Sequence, residues 1–203
     1  MGRVEQKHRP FRKQVLFMNL TSLLELDARL SNKMRVAEKP GVLRNIAIFL
    51  AHSGDSWFWG AALILLWIFG SPAWKEWDAV EFVGISLLAV LVMGIKFLVR
   101  RQRPEGEWGG IYRNTDPHSF PSGHAARAFF IAVIGSALGP AWLGVVLWIW
   151  APLVALARVA MGVHYLSDVI AGAFVGIVSA VLFLEVYEVL FAWIENITHV
   201  PLW

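Results

Sequence analysis

From Ala128 to Ala157 the chain runs for 30 consecutive residues without Asp, Glu, Lys or Arg. As one straight α-helix this run would be about 45 Å long. That is half as long again as the roughly 30 Å hydrocarbon core of a bilayer. Gly139-Pro140 stands near its middle, and proline cannot continue a helix that precedes it, so the run reads as a tight helical hairpin. Three further uncharged runs mark the remaining spans. Ser56–Trp74 contains Pro72 where its helix should end, and Phe82–Ile95 is flanked by Glu81 and Lys96, which are expected to snorkel to the interfaces. Val169–Leu184 extends to about 165–191. The expected architecture is an all-α, polytopic membrane bundle with spans near 54–71, 79–99, 123–138, 141–159 and 165–191.

Composition agrees. Only 16% of residues are charged and 57% are hydrophobic, whereas a soluble domain carries about a quarter charged residues. A soluble enzyme, a disordered chain and a nucleic-acid-binding module are excluded on these grounds. The 11 Trp suit interfacial anchoring. With no cysteine there is no disulfide framework, thiolate metal site or cysteine nucleophile.

Near the N-terminus no cleavable signal peptide is expected, because the apolar cluster Val15–Leu24 is short and lies among charges. Val15, Leu16, Phe17, Leu20, Leu23, Leu24 and Leu30 recur near helical spacing, with Asn19, Thr21, Glu25, Asp27 and Arg29 between them. This pattern predicts an amphipathic helix in the membrane interface. A helix packed on the end of the bundle is the alternative. The chain thus divides into a basic interfacial segment, 1–45, and a transmembrane domain, 46–203.

The polar stretches between spans hold the reactive side chains. Lys96, Arg100, Arg101 and Arg103 close the second span, and Pro121-Ser122-Gly123-His124 opens the third. Arg158 closes the fourth, and His164 and Asp168 open the fifth. Parity brings all three clusters to one end of the bundle, because the hairpin of spans three and four leaves that face and returns to it.

Such a cluster suits phosphoryl transfer. Lys96, Arg103 and Arg158 supply cationic donors, and a guanidinium matches phosphate oxygens in a bidentate fork. Ser122 and Gly123 precede a helix whose N–H groups and dipole favour an anion, and Gly123 lets the backbone come close. Asp168 lies four residues after His164, so it can accept a hydrogen bond from one imidazole nitrogen and leave the other as nucleophile. His124 is placed to protonate a leaving oxygen. No metal and no cofactor is needed.

These residues carry a resemblance. Lys96-Phe-Leu-Val-Arg-Arg-Gln-Arg103-Pro104, then Pro-Ser-Gly-His at 121–124, then Arg158-Val-Ala-Met-Gly-Val-His164-Tyr-Leu-Ser-Asp168 resemble the three-part signature of type 2 phosphatidic acid phosphatases. That signature is shared with vanadium haloperoxidases and glucose-6-phosphatase. The resemblance covers about residues 50–190, and the three parts together are far more specific than Pro-Ser-Gly-His alone. It implies a phosphohistidine on His164, oriented by Asp168, with His124 as the acid. Lys96, Arg103, Ser122, Gly123 and Arg158 would hold the phosphoryl oxygens. Ala157 stands where the family often has Ser, and the first of the usual six spans is replaced by the interfacial segment.

The expected function is hydrolysis of a phosphomonoester or pyrophosphate on a lipid: phosphatidic acid, phosphatidylglycerol phosphate, a polyprenyl diphosphate or phosphorylated lipid A. The partners are this lipid and the bilayer, with no nucleic acid. A vanadate-dependent haloperoxidase and a catalytically silent lipid-binding or transport protein are the alternatives. Multiple spans oppose the first, and the intact His164, His124 and Asp168 oppose the second. Arg100 and Arg101 are expected to snorkel to lipid headgroups, Arg127 to meet substrate or pair with Asp116, and His118 to be a solvated loop residue. Asp55, beside His52, is expected to cap the first span, and Glu185 and Glu188 to lie near the opposite interface. Residues 1–50 carry ten Lys or Arg against four Asp or Glu, and 96–113 five against two. The positive-inside rule places that face, and the site, on the cytoplasmic side of a bacterial or archaeal membrane.

Overall fold

The computed structural model describes residues 11–113 and 116–198. It consists of helices α1 (Phe11–Lys33), α2 (Val42–His52), α3 (Ser56–Phe69), α4 (Pro72–Val99), α5 (Glu107–Arg113), α6 (Gly123–Leu138), α7 (Ala141–Ala160) and α8 (Leu166–Thr198). Among the described residues strand pairing is limited to one bridge, Gln102 with His118. The chain is all-α. Val90, Leu98 and Val189 are among the many large apolar side chains on its outer surface. So wide an apolar exterior is what a bilayer-embedded bundle presents.

Helix α6 is the centre of the bundle. Ala125, Ala126, Ala128 and Ala132 are fully buried on it, with Phe130, Ile131 and Ile134 filling the space around them. Its small residues let α8 approach at backbone distance. A Cβ on Gly172 would lie 2.5 Å from the Ser122 carbonyl oxygen, and one on Gly176 would lie 2.1 Å from that of Ala126. This small-xxx-small contact drives helix association where water cannot. It also brings the start of α8 against the start of α6, where Ser122 N–H donates to Asp168 O at 2.9 Å.

Helices α6 and α7 form the expected hairpin around Gly139-Pro140. Other details differ from expectation. Helix α4 begins at Pro72, not near 79, because proline suits the first helical position, where no N–H is needed. Among the described residues α4, α7 and α8 are long and apolar enough to cross a bilayer alone. Helices α3 and α6, of 14 and 16 residues, fall short of the roughly 20 required. Glu81 and Lys96 do not snorkel: both are buried within the bundle. The sequence pattern also passed over α2, whose Ala47 and Ala51 pack with Ala157 and Met161.

The side chains of residues 11–20, including Val15, Leu16, Phe17, Asn19 and Leu20, lie outside the described residues. The later part of α1 packs on the end of the bundle through its polar edge. Ser31 Oγ accepts from the Leu166 N–H at 2.8 Å, and Asp27 accepts from that of Ser167 at 3.0 Å. Leu23, Leu24, Leu26 and Leu30 remain exposed.

Candidate active site

The three polar clusters meet at one end of the bundle. Lys96, Arg103, Ser122, Arg158, His164 and Asp168 are all buried there. Ser122 is the N-cap of α6 and its Oγ accepts from Ala125 N–H at 3.4 Å. A Cβ at Gly123 would make only ordinary contact, 3.6 Å from Val92, so packing alone does not demand glycine at this position.

His164 lies in the turn between α7 and α8. Arg103 Nη1 is 3.2 Å from its Nε2 and donates at 2.9 Å to the Val163 carbonyl. A guanidinium only donates, so Nε2 is the unprotonated nitrogen and the proton belongs to Nδ1. Burial pushes the imidazole well below its ordinary value, and the charges of Arg103, Arg158 and Lys96 push it further. The ring is therefore neutral, with its lone pair on the cationic side.

Asp168 is near but not bonded to it: Nδ1 to Oδ2 is 3.6 Å, beyond hydrogen-bond length. The carboxylate is held otherwise. Its Oδ2 accepts from the Tyr165 N–H at 2.9 Å, the reach-back of a helix capping box, and its Oδ1 from Arg101 Nη1 at 2.7 Å. Arg101 thus does not reach for headgroups. It bonds Asp168, Ser167 at 2.6 Å and Asp27 at 2.7 Å, and stacks 4.0 Å above the Tyr165 ring.

Asp116 faces the cations. Its Oδ2 accepts from Lys96 Nζ and Arg103 Nη2, each at 2.7 Å, and its carbonyl accepts from Arg103 Nε at 2.6 Å. Burial alone would raise this carboxyl, but the hydrogen bond and charge of Lys96, with the charge of Arg103, hold it below the usual range. A carboxylate therefore already sits on two of the donors expected to bind phosphate. Lys96 also donates to the His118 carbonyl at 2.7 Å, so the backbone of His118 belongs to the cluster rather than to a solvated loop. Arg127 does not pair with Asp116. Its Nε donates to the Gly54 carbonyl at 3.1 Å and its Nη1 to Ser56 Oγ at 2.5 Å.

The second imidazole, His124, has a partner that sequence reasoning missed. Its Nε2 is 2.7 Å from Asp55 Oδ1, while His52 Nδ1 is 2.8 Å from Asp55 Oδ2. The carboxylate makes no capping bond to α3. Its position just before an apolar helix pointed to a cap, and nothing local pointed to a partner 69 positions away.

A cavity of about 190 Å³ adjoins these groups, lined by Lys96, Asp116, Gly123 and His124 together with apolar Ile85 and Val92. Among the described residues no cluster of three His, Cys, Asp or Glu could hold a metal ion. A neutral imidazole, clustered cations and a second imidazole beside an apolar-walled cavity can bind and cleave a phosphate ester carried on an apolar group.

Comparison with known proteins agrees with this chemistry. The chain is 31% identical over 201 residues to "Probable lipid phosphate phosphatase beta" of Arabidopsis thaliana, covering 83% of this chain and 93% of that protein. It is 35% identical over 143 residues to the decaprenylphosphoryl-5-phosphoribose phosphatase of Mycobacterium tuberculosis, covering 70% and 78%. The crystal structure of Aquifex aeolicus LpxE superposes with a TM-score of 0.62 at 30% identity, covering 80% of this chain and 94% of that one. The profile of the PAP2 superfamily matches residues 78–191, which include every signature position, and the chain belongs to that superfamily.

Proposed function

We propose that this protein hydrolyses a phosphomonoester or pyrophosphate borne by a membrane lipid, through a phosphohistidine and without a metal. The observation that carries the reading is His164, a buried neutral imidazole whose unprotonated Nε2 lies 3.2 Å from Arg103. In the first step Nε2 attacks phosphorus, the bond from phosphorus to the leaving oxygen breaks, and His124 gives that oxygen a proton. Nδ1 keeps its proton on the side of Asp168, whose negative charge offsets the positive charge the ring acquires. In the second step water attacks phosphorus, His124 takes its proton, and the N–P bond breaks to release phosphate. Lys96, Arg103, Arg158, the Ser122 hydroxyl and the Gly123 N–H hold the non-bridging oxygens.

The relatives' names describe lipid phosphate, decaprenylphosphoryl and related phosphatases, and the apolar wall of the cavity suits such a substrate. Phosphatidic acid, phosphatidylglycerol phosphate, a polyprenyl diphosphate and phosphorylated lipid A are the members to test. The purified protein in detergent, assayed on this panel, should release free phosphate from at least one. It should keep that activity in EDTA and lose it to vanadate, which mimics pentacoordinate phosphorus. Complete loss in EDTA with rescue by magnesium would overturn the metal-free mechanism.

We further read residues 1–45 as a basic segment at the interface and 46–203 as the phosphatase domain, with the site facing the cytoplasm. The charge excess of the N-terminal region supports this sidedness. Gly106→Cys in intact cells should resist a membrane-impermeant maleimide until lysis. Labelling without lysis would place the site outside.

A further inference from the structure

The turn joining α2 to α3 is built with unusual care for a surface connection. Trp59 Nε1 donates to the Ser53 carbonyl at 3.1 Å and Trp150 Nε1 to Ser53 Oγ at 2.9 Å. Arg127, one turn beyond His124 on α6, donates to the Gly54 carbonyl. At Gly54 a Cβ would lie 2.8 Å from Val154, and 3.5 Å from the His124 ring, so the turn is pressed against α7 and lies in ordinary contact with the imidazole. The product of this bracing is the position of one carboxylate. Asp55 Oδ1 accepts from His124 Nε2 at 2.7 Å, and its Oδ2 accepts from His52 Nδ1 at 2.8 Å and from Trp57 Nε1 at 3.1 Å.

The geometry points to Asp55 as the positioning residue of the acid, with His52 fixing the second carboxylate oxygen. This inference rests on the proposed role of His124. A carboxylate only accepts, so the bond fixes a proton on His124 Nε2 and leaves Nδ1 as the nitrogen that exchanges a proton with substrate. In the first step the proton of the bound phosphate monoanion moves to Nδ1 and from there to the leaving oxygen as the P–O bond breaks, and the ring returns to neutral with Nε2–H still on Asp55. In the second step Nδ1 takes a proton from the attacking water, and the negative charge of Asp55 offsets the imidazolium that reforms. Throughout, Asp55 holds the ring in one tautomer and one orientation, as an acid–imidazole pair requires. His52, with 39% of its side chain exposed, tethers this pair to the solvated end of α2.

The test compares two leaving groups. An alkyl phosphate monoester expels an alkoxide that must be protonated, whereas p-nitrophenyl phosphate expels a phenoxide that needs no proton. Measured as kcat/KM on the full-length protein in detergent, Asp55→Asn should lose about a hundredfold or more on the alkyl ester, the usual worth of a positioned acid. On the nitrophenyl ester it should lose no more than about threefold, since no acid is needed there. Equal losses on both would make Asp55 a merely structural residue and overturn the inference. His124→Gln, run alongside, separates the two claims. If His124→Gln shows the leaving-group dependence and Asp55→Asn does not, the acid stands and its positioning residue is wrong. If His124→Gln loses both substrates equally, His124 is not the acid. Should Asp55→Asn not fold, Asp55→Glu, which keeps the charge but moves it by one methylene, takes its place in the same comparison. A loss confined to the alkyl ester supports the inference, and equal losses or none overturn it.

Discussion

Arg101 and Asp27, 74 positions apart, meet at 2.7 Å across the end of the bundle. The other arm of the same guanidinium bonds Asp168 at 2.7 Å, so the N-terminal helix is tied through one side chain to the carboxylate beside His164. Asp168 is fully buried, and a buried charge deprived of its partner is costly. Arg101→Ala should therefore destabilise the protein by about 3 kcal/mol, the scale of a broken buried ion pair. It should lower kcat more than it raises KM. Asp27→Asn, which leaves the Asp168 bond intact, should cost less than tenfold in kcat. Thermal midpoints in detergent with steady-state kinetics check both, and an Arg101→Ala protein of wild-type stability would refute the buried pair.

His164→Ala should fold and retain less than about a thousandth of wild-type turnover, as deletions of a reacting group do. Asp168→Asn should be milder. It keeps the attacking nitrogen and can still accept from Tyr165 N–H, while losing the charge that balances the phosphorylated ring. Phosphate release from the preferred lipid measures both, and near-equal losses would assign Asp168 more than an electrostatic role.

The neutrality of His164 fixes the sign of a pH effect. Its folded value lies well below the ordinary imidazole value because of burial and of Arg103, Arg158 and Lys96. Protons bind the unfolded chain more readily than the folded one below the unfolded value of about 6.5. The contribution of neutral His164 to stability is thus fully present above that pH and is lost as pH falls from there toward the folded value. His164→Gln should flatten the acid decline of the thermal midpoint between about pH 6.5 and 5. An unchanged slope would mean the imidazole is not held neutral.

Asp116 occupies Lys96 and Arg103 in the substrate-free site, so an incoming phosphoryl group competes with it for the same donors. Asp116→Asn removes the charge but keeps the side-chain shape, and should tighten competitive inhibition by inorganic phosphate about tenfold, or 1.4 kcal/mol. Weaker inhibition would show instead that Asp116 orients the two cations for binding.

The apolar helices, the Gly139-Pro140 hairpin and the three signature segments are legible in the chain because each depends on neighbours along it, although α3 and α6 are shorter than a full crossing. Uncharged length sets a crossing, a Gly-Pro pair stops a helix, and parity sends Lys96, Ser122 and His164 to one end. The residues that hold the imidazoles and cations in place are not legible in this way. Local rules assign Asp55 to a cap, Arg101 to headgroups and Glu81 to the interface, because each stands beside an apolar run. The fold sends Asp55 to His124, Arg101 to Asp27 and Asp168, and Glu81 into the core. Those partners depend on how far α8 sinks against the small residues of α6 and on where the turn at Ser53 and Gly54 is pinned. A charge in a low-dielectric bundle takes the partner that packing brings within about 3 Å, and that distance is a property of the assembled helices, not of any one of them.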